Sequence, residues 1–320
     1  MKPRALICGV SGQDGAYLAS FLLAKGYEVL GTSRDAQAKK FDGLVALNIL
    51  DKVKTLSMLP EDFHSVLQVF SETRPHEIYN LSGQSSVGIS FEQPLETMSS
   101  ISTATLNQLE AIKFVDKSIR FYSAGSSECF GDTGDIVACE SSSFRPCSPY
   151  AVAKIAASHH VSVYRKSFGL FAVTGILFNH ESPLRQEHFV TKKIITTVRR
   201  IAAGSNEKLK LGNIDIQRDW GWAPEYVDAM WRMLNLEEPE DFVIATGVQL
   251  SLREFVQTVF EEAGLDWRNH LISDSTQLRP SDPIKCIGDP TKAKERLNWI
   301  PFIVGSEVPK KMYRENFSDN

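Results

Sequence analysis

Tyr150 and Lys154 stand four residues apart in SPYAVAK, directly after Pro149. Proline suits the first turn of a helix, so a helix starting here puts a phenol and an ammonium on one face. The pair is fitted to take a proton from an alcohol. A lysine cation lowers the phenol pKa, and the tyrosinate accepts the hydroxyl proton as hydride departs to a nicotinamide. Chance gives roughly half of one such match in a chain with eight tyrosines, and a solvated helix pair is the plain alternative, so context must decide. YSAGSSECFG supplies that context. Ser126 can hydrogen-bond the reacting oxygen, while Glu128 is a carboxylate that simple hydride transfer does not need. Oxidising an alcohol to a ketone acidifies the next carbon. A carboxylate there can remove that proton and donate one to a departing hydroxyl; the plain alternative is a solvated loop glutamate.

A second cluster lies near the start of the chain. Gly9, Gly12 and Gly15 form GxxGxxG in GVSGQDG, between an apolar run and an amphipathic one. At the observed glycine frequency of 20 in 320, this pattern arises by chance about 0.08 times per chain. A strand, a tight turn and a helix N-terminus in this order let a diphosphate approach backbone N–H groups, although a closely packed turn would use the same glycines. Arg34 follows the next strand, where it can pair with an adenosine 2′-phosphate and favour NADP over NAD. Asp35 beside it works against that preference, either by binding a ribose hydroxyl or by pointing away.

These residues need elements to hold them. Strands are expected at 4–9, 27–33, 53–58, 76–81, 119–124, 170–177 and 242–246, with helices at 13–25, 61–72, 95–115 and 150–168. The alternation predicts an α/β fold: a Rossmann-like, mostly parallel sheet with helices on both faces and a smaller C-terminal substrate-binding region. Later helices are expected at 189–203, 225–236 and 252–263, the last introduced by Ser251 with Glu254 three residues on. A strand or hairpin is expected at 208–212. Asp289 and Pro290 suit the cap and first position of a terminal helix, and the charged tail after Val308 is expected to fray. The polar clusters after the strands, at 10–15, 82–88, 125–128 and 179–185, should meet beyond the carboxyl edge of the sheet. The workable division is a cofactor unit over 1–177 and a sugar-binding region over 178–320, with some later segments returning to the sheet.

Composition narrows the classes. The chain has 320 residues, 42% hydrophobic and 23% charged, with a net charge of −4, which excludes disorder and fibre and argues against nucleic acid or membrane partners. No run approaches a membrane span, so the expected location is cytoplasmic. Cys8, Cys129, Cys139, Cys147 and Cys286 make no CxxC pair, so neither a disulfide scaffold nor a cysteine-rich zinc site is expected.

GVSGQDGAYL, YNLSGQSSVGISFEQP, SSE at 126–128, SPYAVAK, FNHESPLR, RDWGWAPEYV and GDPTKAK together resemble the extended short-chain dehydrogenase/reductase family, and within it the GDP-mannose 4,6-dehydratases, over about residues 4–300. The resemblance implies NADP, GDP-D-mannose as substrate and GDP-4-dehydro-6-deoxy-D-mannose as product. It assigns Ser126, Glu128, Tyr150 and Lys154 to catalysis. It assigns Gly9, Gly12, Gln13, Asp14, Gly15, Arg34, Leu81, Ser85, Tyr150, Lys154, His180 and Arg185 to the cofactor. Ser85, Ser126, Glu128, Asn179, Glu181, Val190, Lys193, Gly212, Arg218 and Arg279 fall to the nucleotide sugar. Taken as single residues, His180 also suits a structural histidine, Arg218 and Arg279 suit surface ion pairs, and Lys192 with Lys193 suits a solvated helix face. No catalytic metal is expected.

The chain departs from the family pattern at Asp35, Leu59–Pro60, Trp222, Pro224 and Asp282, and the basic loop after Arg34 is missing or shortened. In relatives that loop supports tetramers, so a homodimer is expected before a tetramer. The competing readings are another NADP-dependent nucleotide-sugar dehydratase, epimerase or ketoreductase, and a noncatalytic nucleotide-binding protein.

Overall fold

The computed structural model describes residues 2–315. The chain forms β1 (Arg4–Cys8), β2 (Glu28–Ser33), β3 (Lys54–Ser57), β4 (Glu77–Asn80), β5 (Arg120–Ala124), β6 (Ala172–Leu177) and β7 (Asn179–Glu181). Then come β8 (Leu209–Leu211), β9 (Gln217–Trp222), β10 (Phe242–Ile244), β11 (Gln249–Ser251), β12 (Leu271–Ser273) and β13 (Lys285–Cys286). Seven of these make one sheet in the order β10-β6-β5-β4-β1-β2-β3, with every neighbouring pair parallel.

Strand periodicity explains the three layers. Ala5 and Ile7 of β1 face one apolar cluster with Leu18 and Leu22 of the Gln13–Ala24 helix and Met230 and Met233 of the Ala223–Leu234 helix. Leu6 and Cys8 face the other, with Phe70 of the Phe63–Thr73 helix, Ile112 of the Ala104–Val115 helix and Val161 of the Pro149–Phe168 helix. Successive side chains on opposite faces, both buried, are why the strands read as near-continuous apolar runs. The sheet order reverses beside β1, where the chain leaves β3 and returns as β4. That reversal opens a crevice at the carboxyl ends of β1 and β4, the usual ligand position in such sheets.

A smaller unit covers this edge. β9 pairs with β7, β11 and β13, and β8 pairs with β12. Ile194, Val198, Trp220, Phe255, Phe260, Val308 and Met312 form its core. Ser251 and Glu254 make the reciprocal capping box expected of them.

The expected strand at 208–212 is present as β8, pairing in parallel with β12 far along the chain rather than in a hairpin, with Leu209 and Leu211 both in the smaller core. Two expectations change. The terminal helix starts at Thr291 with Pro290 in the cap position, while Asp289 still accepts the Thr291 amide at 2.9 Å. The tail holds to Arg314, where a helix over Glu307–Arg314 buries Val308 and Met312 and Arg314 pairs with Glu262 at 2.7 Å, while residues 316–320, to which the same expectation applied, lie outside the described residues. Charge around those two apolar residues masks an i,i+4 pair facing the core. The expected 95–115 helix is present with an irregularity, a π turn over Ser99–Thr103 between Pro94–Met98 and Ala104–Val115. Ser100 of that turn accepts the Gln84 amide at 3.3 Å, so the irregular turn braces the loop after β4.

Gly15 offers a test of the first turn. A Cβ at Gly15 would lie 2.5 Å from the Gly9 carbonyl oxygen and 2.6 Å from the Val10 Cα, both backbone atoms. Helix propensity alone favours Gly15→Ala by about 1 kcal/mol. The clash reverses the sign, and we expect chemical denaturation to show a loss of about 1–3 kcal/mol.

Candidate active site

The four polar clusters do converge at the carboxyl edge. A cleft of about 790 Å³ is lined by Asp14, Leu81, Ser85, Ser126, Glu128, Tyr150, Lys154, Asn179, His180, Glu181, Arg185, Val190, Lys193, Gly212, Arg218 and Arg279, among others. Gly9, Gly12, Gln13, Gly15 and Arg34 stand outside that lining.

The glycine turn is built by close backbone approach. Gly9 has φ +90°, and a Cβ there would meet the Leu81 carbonyl oxygen at 2.9 Å, so β1 and β4 can approach this closely only with glycine. Gly12 caps the Gln13–Ala24 helix with no side-chain hydrogen bond, leaving first-turn amides for an anion. A Cβ at Gly12 would meet only the Gly9 carbonyl oxygen, at 3.5 Å, so this side of the turn has room for one. A dinucleotide diphosphate fits this open, donor-rich turn.

Gln13 and Asp14 tie that helix to β7. Gln13 donates to the His180 carbonyl at 3.1 Å and accepts from Ser182 at 2.8 Å. The His180 ring lies between acceptors, Nδ1 at 2.7 Å from the Phe178 carbonyl and Nε2 at 2.9 Å from Asp14, and it stacks on Tyr226 at 4.5 Å. Two acceptors require both ring nitrogens to donate, which describes an imidazolium paired with a carboxylate. Burial opposes charge on Asp14, yet the His180 charge and hydrogen bond hold its carboxyl down at about 2. Burial likewise opposes charge on His180, but Asp14 raises it above the ordinary 6.5.

Ser126, Glu128, Tyr150 and Lys154 come from two adjacent elements. Ser126 follows β5 and accepts the Glu128 amide at 3.3 Å, starting the short Ser127–Phe130 turn. Ser148 accepts the Ala151 amide at 3.1 Å and caps the Pro149–Phe168 helix, which presents Tyr150 and Lys154 on one face. Lys154 Nζ donates to the Ala124 carbonyl at 2.7 Å and sits 5.7 Å from the centre of the Tyr150 ring. Burial brings Lys154 down to about 8. Burial also raises the Tyr150 phenol, against its hydrogen bond with Ser126 and the charge of Arg185. Water exclusion therefore outweighs the groups that lower the phenol, and these are Ser126 and Arg185 rather than the expected Lys154. Glu128 is partly buried and raised by desolvation, with Arg218 and Arg279 opposing and Asp282 reinforcing. A carboxyl that holds its proton more readily is suited to both taking and giving one.

Asp282 joins the two arginines. It lies 2.7 Å from the buried Arg218 and 3.5 Å from Arg279. Sequence reasoning noted Asp282 as a departure and missed its place between the two; the i,i+3 spacing in RPSD was the available signal. Glu181 is 1% exposed and held by Thr191 at 2.6 Å and Arg185 at 3.2 Å, so it organises the wall. The Arg185 guanidinium lies 3.7 Å over the Phe189 ring. Lys193 donates to the Lys210 carbonyl at 2.8 Å and to Gln277 at 3.2 Å, bringing the 276–282 segment to the cleft; Arg279 of this segment was expected there, and Thr276 and Gln277 were not indicated by the sequence. A Cβ at Gly212 would crowd the Gln277 carbonyl at 3.1 Å. Arg34 is exposed and 3.3 Å from Glu96, while Asp35 accepts the Gln37 and Ala38 amides at 2.9 and 3.0 Å. Of the departures from the family pattern, Asp282 lines the cleft; Asp35, Leu59, Pro60, Trp222 and Pro224 do not.

Wider comparisons place the chain among known proteins. The family model described as GDP-mannose 4,6 dehydratase matches residues 6–312. The chain belongs to the GDP-mannose 4,6-dehydratase family. It is 42% identical to GDP-mannose 4,6 dehydratase 1 of Arabidopsis thaliana over 99% of this chain and 91% of that protein. The UDP-glucose 4-epimerase of Thermus thermophilus, solved with NAD, superposes with a TM-score of 0.85 at 25% identity, covering 99% of each chain. RMD from Pseudomonas aeruginosa, solved with NADPH, shares the fold at a TM-score of 0.80 and 21% identity, covering 98% of each. Family membership makes the chain an extended short-chain dehydrogenase/reductase, among the NAD(P)-dependent sugar-modifying dehydratases and epimerases. Among the described residues no helix is long and apolar enough to cross a membrane, and no group of three or more His, Cys, Asp or Glu is placed to hold a metal ion.

The Asp14–His180 pair has a defined pH signature. Asp14 is depressed, so its contribution to stability is present above the ordinary 3.8 and lost as pH falls toward about 2. His180 is raised, so its contribution is full below 6.5 and lost as pH climbs through its folded value. We expect the stability gap between the native protein and Asp14→Asn to be largest between those limits and to shrink in alkaline buffer, as read by urea midpoints.

Proposed function

We propose that the protein converts GDP-D-mannose to GDP-4-dehydro-6-deoxy-D-mannose and water, using NADP bound across the glycine turn. The observation that carries this reading is Glu128 beside Tyr150 and Lys154 in one cleft that also holds Arg218 and Arg279. An epimerase or ketoreductase has no need of a further acid/base carboxyl at that place. The bound cofactor would take the C4 hydride and return it at C6, so no external reductant is consumed.

The residues divide the work. Tyr150 takes the proton of the 4-hydroxyl, with Ser126 hydrogen-bonded to the same oxygen, and the ketone so formed acidifies C5. Glu128 removes the C5 proton and protonates the 6-hydroxyl, which leaves as water, giving a C5–C6 double bond conjugated to the ketone. Hydride return at C6 leaves an enolate, and protonation at C5 restores the 4-ketone. Lys154, fixed by the Ala124 carbonyl, holds the nicotinamide ribose and keeps Tyr150 placed. Arg218 and Arg279 meet the diphosphate, and Asn179, Glu181, Val190, Lys193 and Gly212 shape the nucleotide-sugar side. Gly9, Gly12, Gln13, Asp14, Gly15, Leu81, Ser85, His180 and Arg185 hold the cofactor side, with residues 1–177 as the main cofactor unit and 178–320 as the main sugar unit. A cytoplasmic homodimer is the assembly we favour.

The deciding experiment incubates the purified protein with GDP-mannose and NADP and follows the product by NMR and mass spectrometry. A loss of one water with a new C6 methyl is expected; unchanged GDP-mannose alongside conversion of another nucleotide sugar would defeat the substrate assignment. Glu128→Gln should bind both ligands and lose dehydration by about 100-fold or more, and full turnover in that variant would remove Glu128 from its role.

A further inference from the structure

Arg34 stands at the end of β2, where the adenosine ribose of a dinucleotide meets this kind of fold. A 2′-phosphate in that position is best held by a free guanidinium edge. Here Nη1 of Arg34 lies 3.3 Å from Glu96, with the two side chains 69% and 53% exposed. Glu96 belongs to the Pro94–Met98 helix, so the fold, rather than the loop after β2, brings the carboxylate to Arg34. Asp35 is turned the other way: its Oδ1 accepts the Gln37 and Ala38 amides and closes its own turn. The acid facing Arg34 is therefore Glu96, and the neighbouring sequence gives no hint of it.

An arriving 2′-phosphate competes with Glu96 for Nη1 or takes the other guanidinium N–H groups, and in either case it lies near a carboxylate of the same sign. A 2′-hydroxyl meets neither cost. Building on the cofactor site argued above, we infer that Glu96 is a specificity residue that weakens the hold on a 2′-phosphate, so that NADP is favoured over NAD less than Arg34 alone would allow. The effect is electrostatic and solvent-exposed, so it is modest and fades with salt.

Calorimetric titration of NADP and of NAD into the full chain tests this, with Glu96→Gln and Arg34→Gln beside the native protein. NAD shares every group except the 2′-phosphate and acts as the internal control. Glu96→Gln should tighten NADP by about fivefold at low salt and leave NAD within about twofold, whereas Arg34→Gln should weaken NADP alone. If Glu96→Gln leaves the ratio of the two affinities unchanged while NADP still binds, the role of Glu96 is wrong and the cofactor site stands. If neither dinucleotide binds the native protein, the cofactor site itself is wrong, and this inference falls with it.

Discussion

Loss of water dominates three ionisable groups that meet in the cleft, Glu128, Tyr150 and Lys154. Glu128, Tyr150 and Lys154 are each pushed toward the neutral form by burial, the carboxyl and phenol upward and the ammonium down to about 8. Burial therefore sets the starting point from which proton transfer proceeds, and neighbouring groups adjust it. Ser126 and Arg185 favour the phenolate, Arg218 and Arg279 favour the carboxylate, and Asp282 opposes them. A substrate diphosphate that drew Arg218 and Arg279 to itself would leave Glu128 readier to hold a proton, which is the direction an acid for a leaving hydroxyl needs. Binding at the remote end of the sugar would thus be coupled to the chemistry at the other end.

Such a balance requires rigid placement, and the fold provides it through backbone contacts. β1 and β4 touch through Gly9, the turn over Ser99–Thr103 braces the loop after β4, and β5 delivers Ser126 and Glu128 beside the Pro149–Phe168 helix. The smaller unit is joined to this edge at His180, whose ring ties Asp14 of the first helix to the Phe178 carbonyl. This one ring links the helix after the glycine turn to the smaller unit. The structural reading of His180 is thus borne out, and the same residue lines the cleft.

The large sheet was legible because buried parallel strands leave apolar runs, and helix starts carry recognisable signals, Pro149 in the larger unit and the Ser251–Glu254 box in the smaller. The convergence of Ser126, Glu128, Tyr150 and Lys154 in one cleft was legible for a similar reason, the four being concentrated in two short local motifs. What escaped was carried by long-range pairing. β7, β11 and β13 have three, three and two residues, too few for any periodic pattern, and exist because β9 gathers them. Glu96 and Asp282 matter through partners that only the fold brings close. Arg34 looked like a free cation for a phosphate, and Asp35 like its rival; in the structure Asp35 serves its own turn and Glu96 faces Arg34.

The central claim is that one cleft oxidises C4, eliminates water across C5 and C6, and returns the same hydride. Nucleotide-linked mannose carrying deuterium at C4 tests it most directly, with the product read by NMR. The account predicts deuterium in the C6 methyl group, a solvent-derived hydrogen at C5, and no net reduction of added NADP. Deuterium that accumulates in reduced cofactor, or that returns to C4 with the 6-hydroxyl intact, would contradict it.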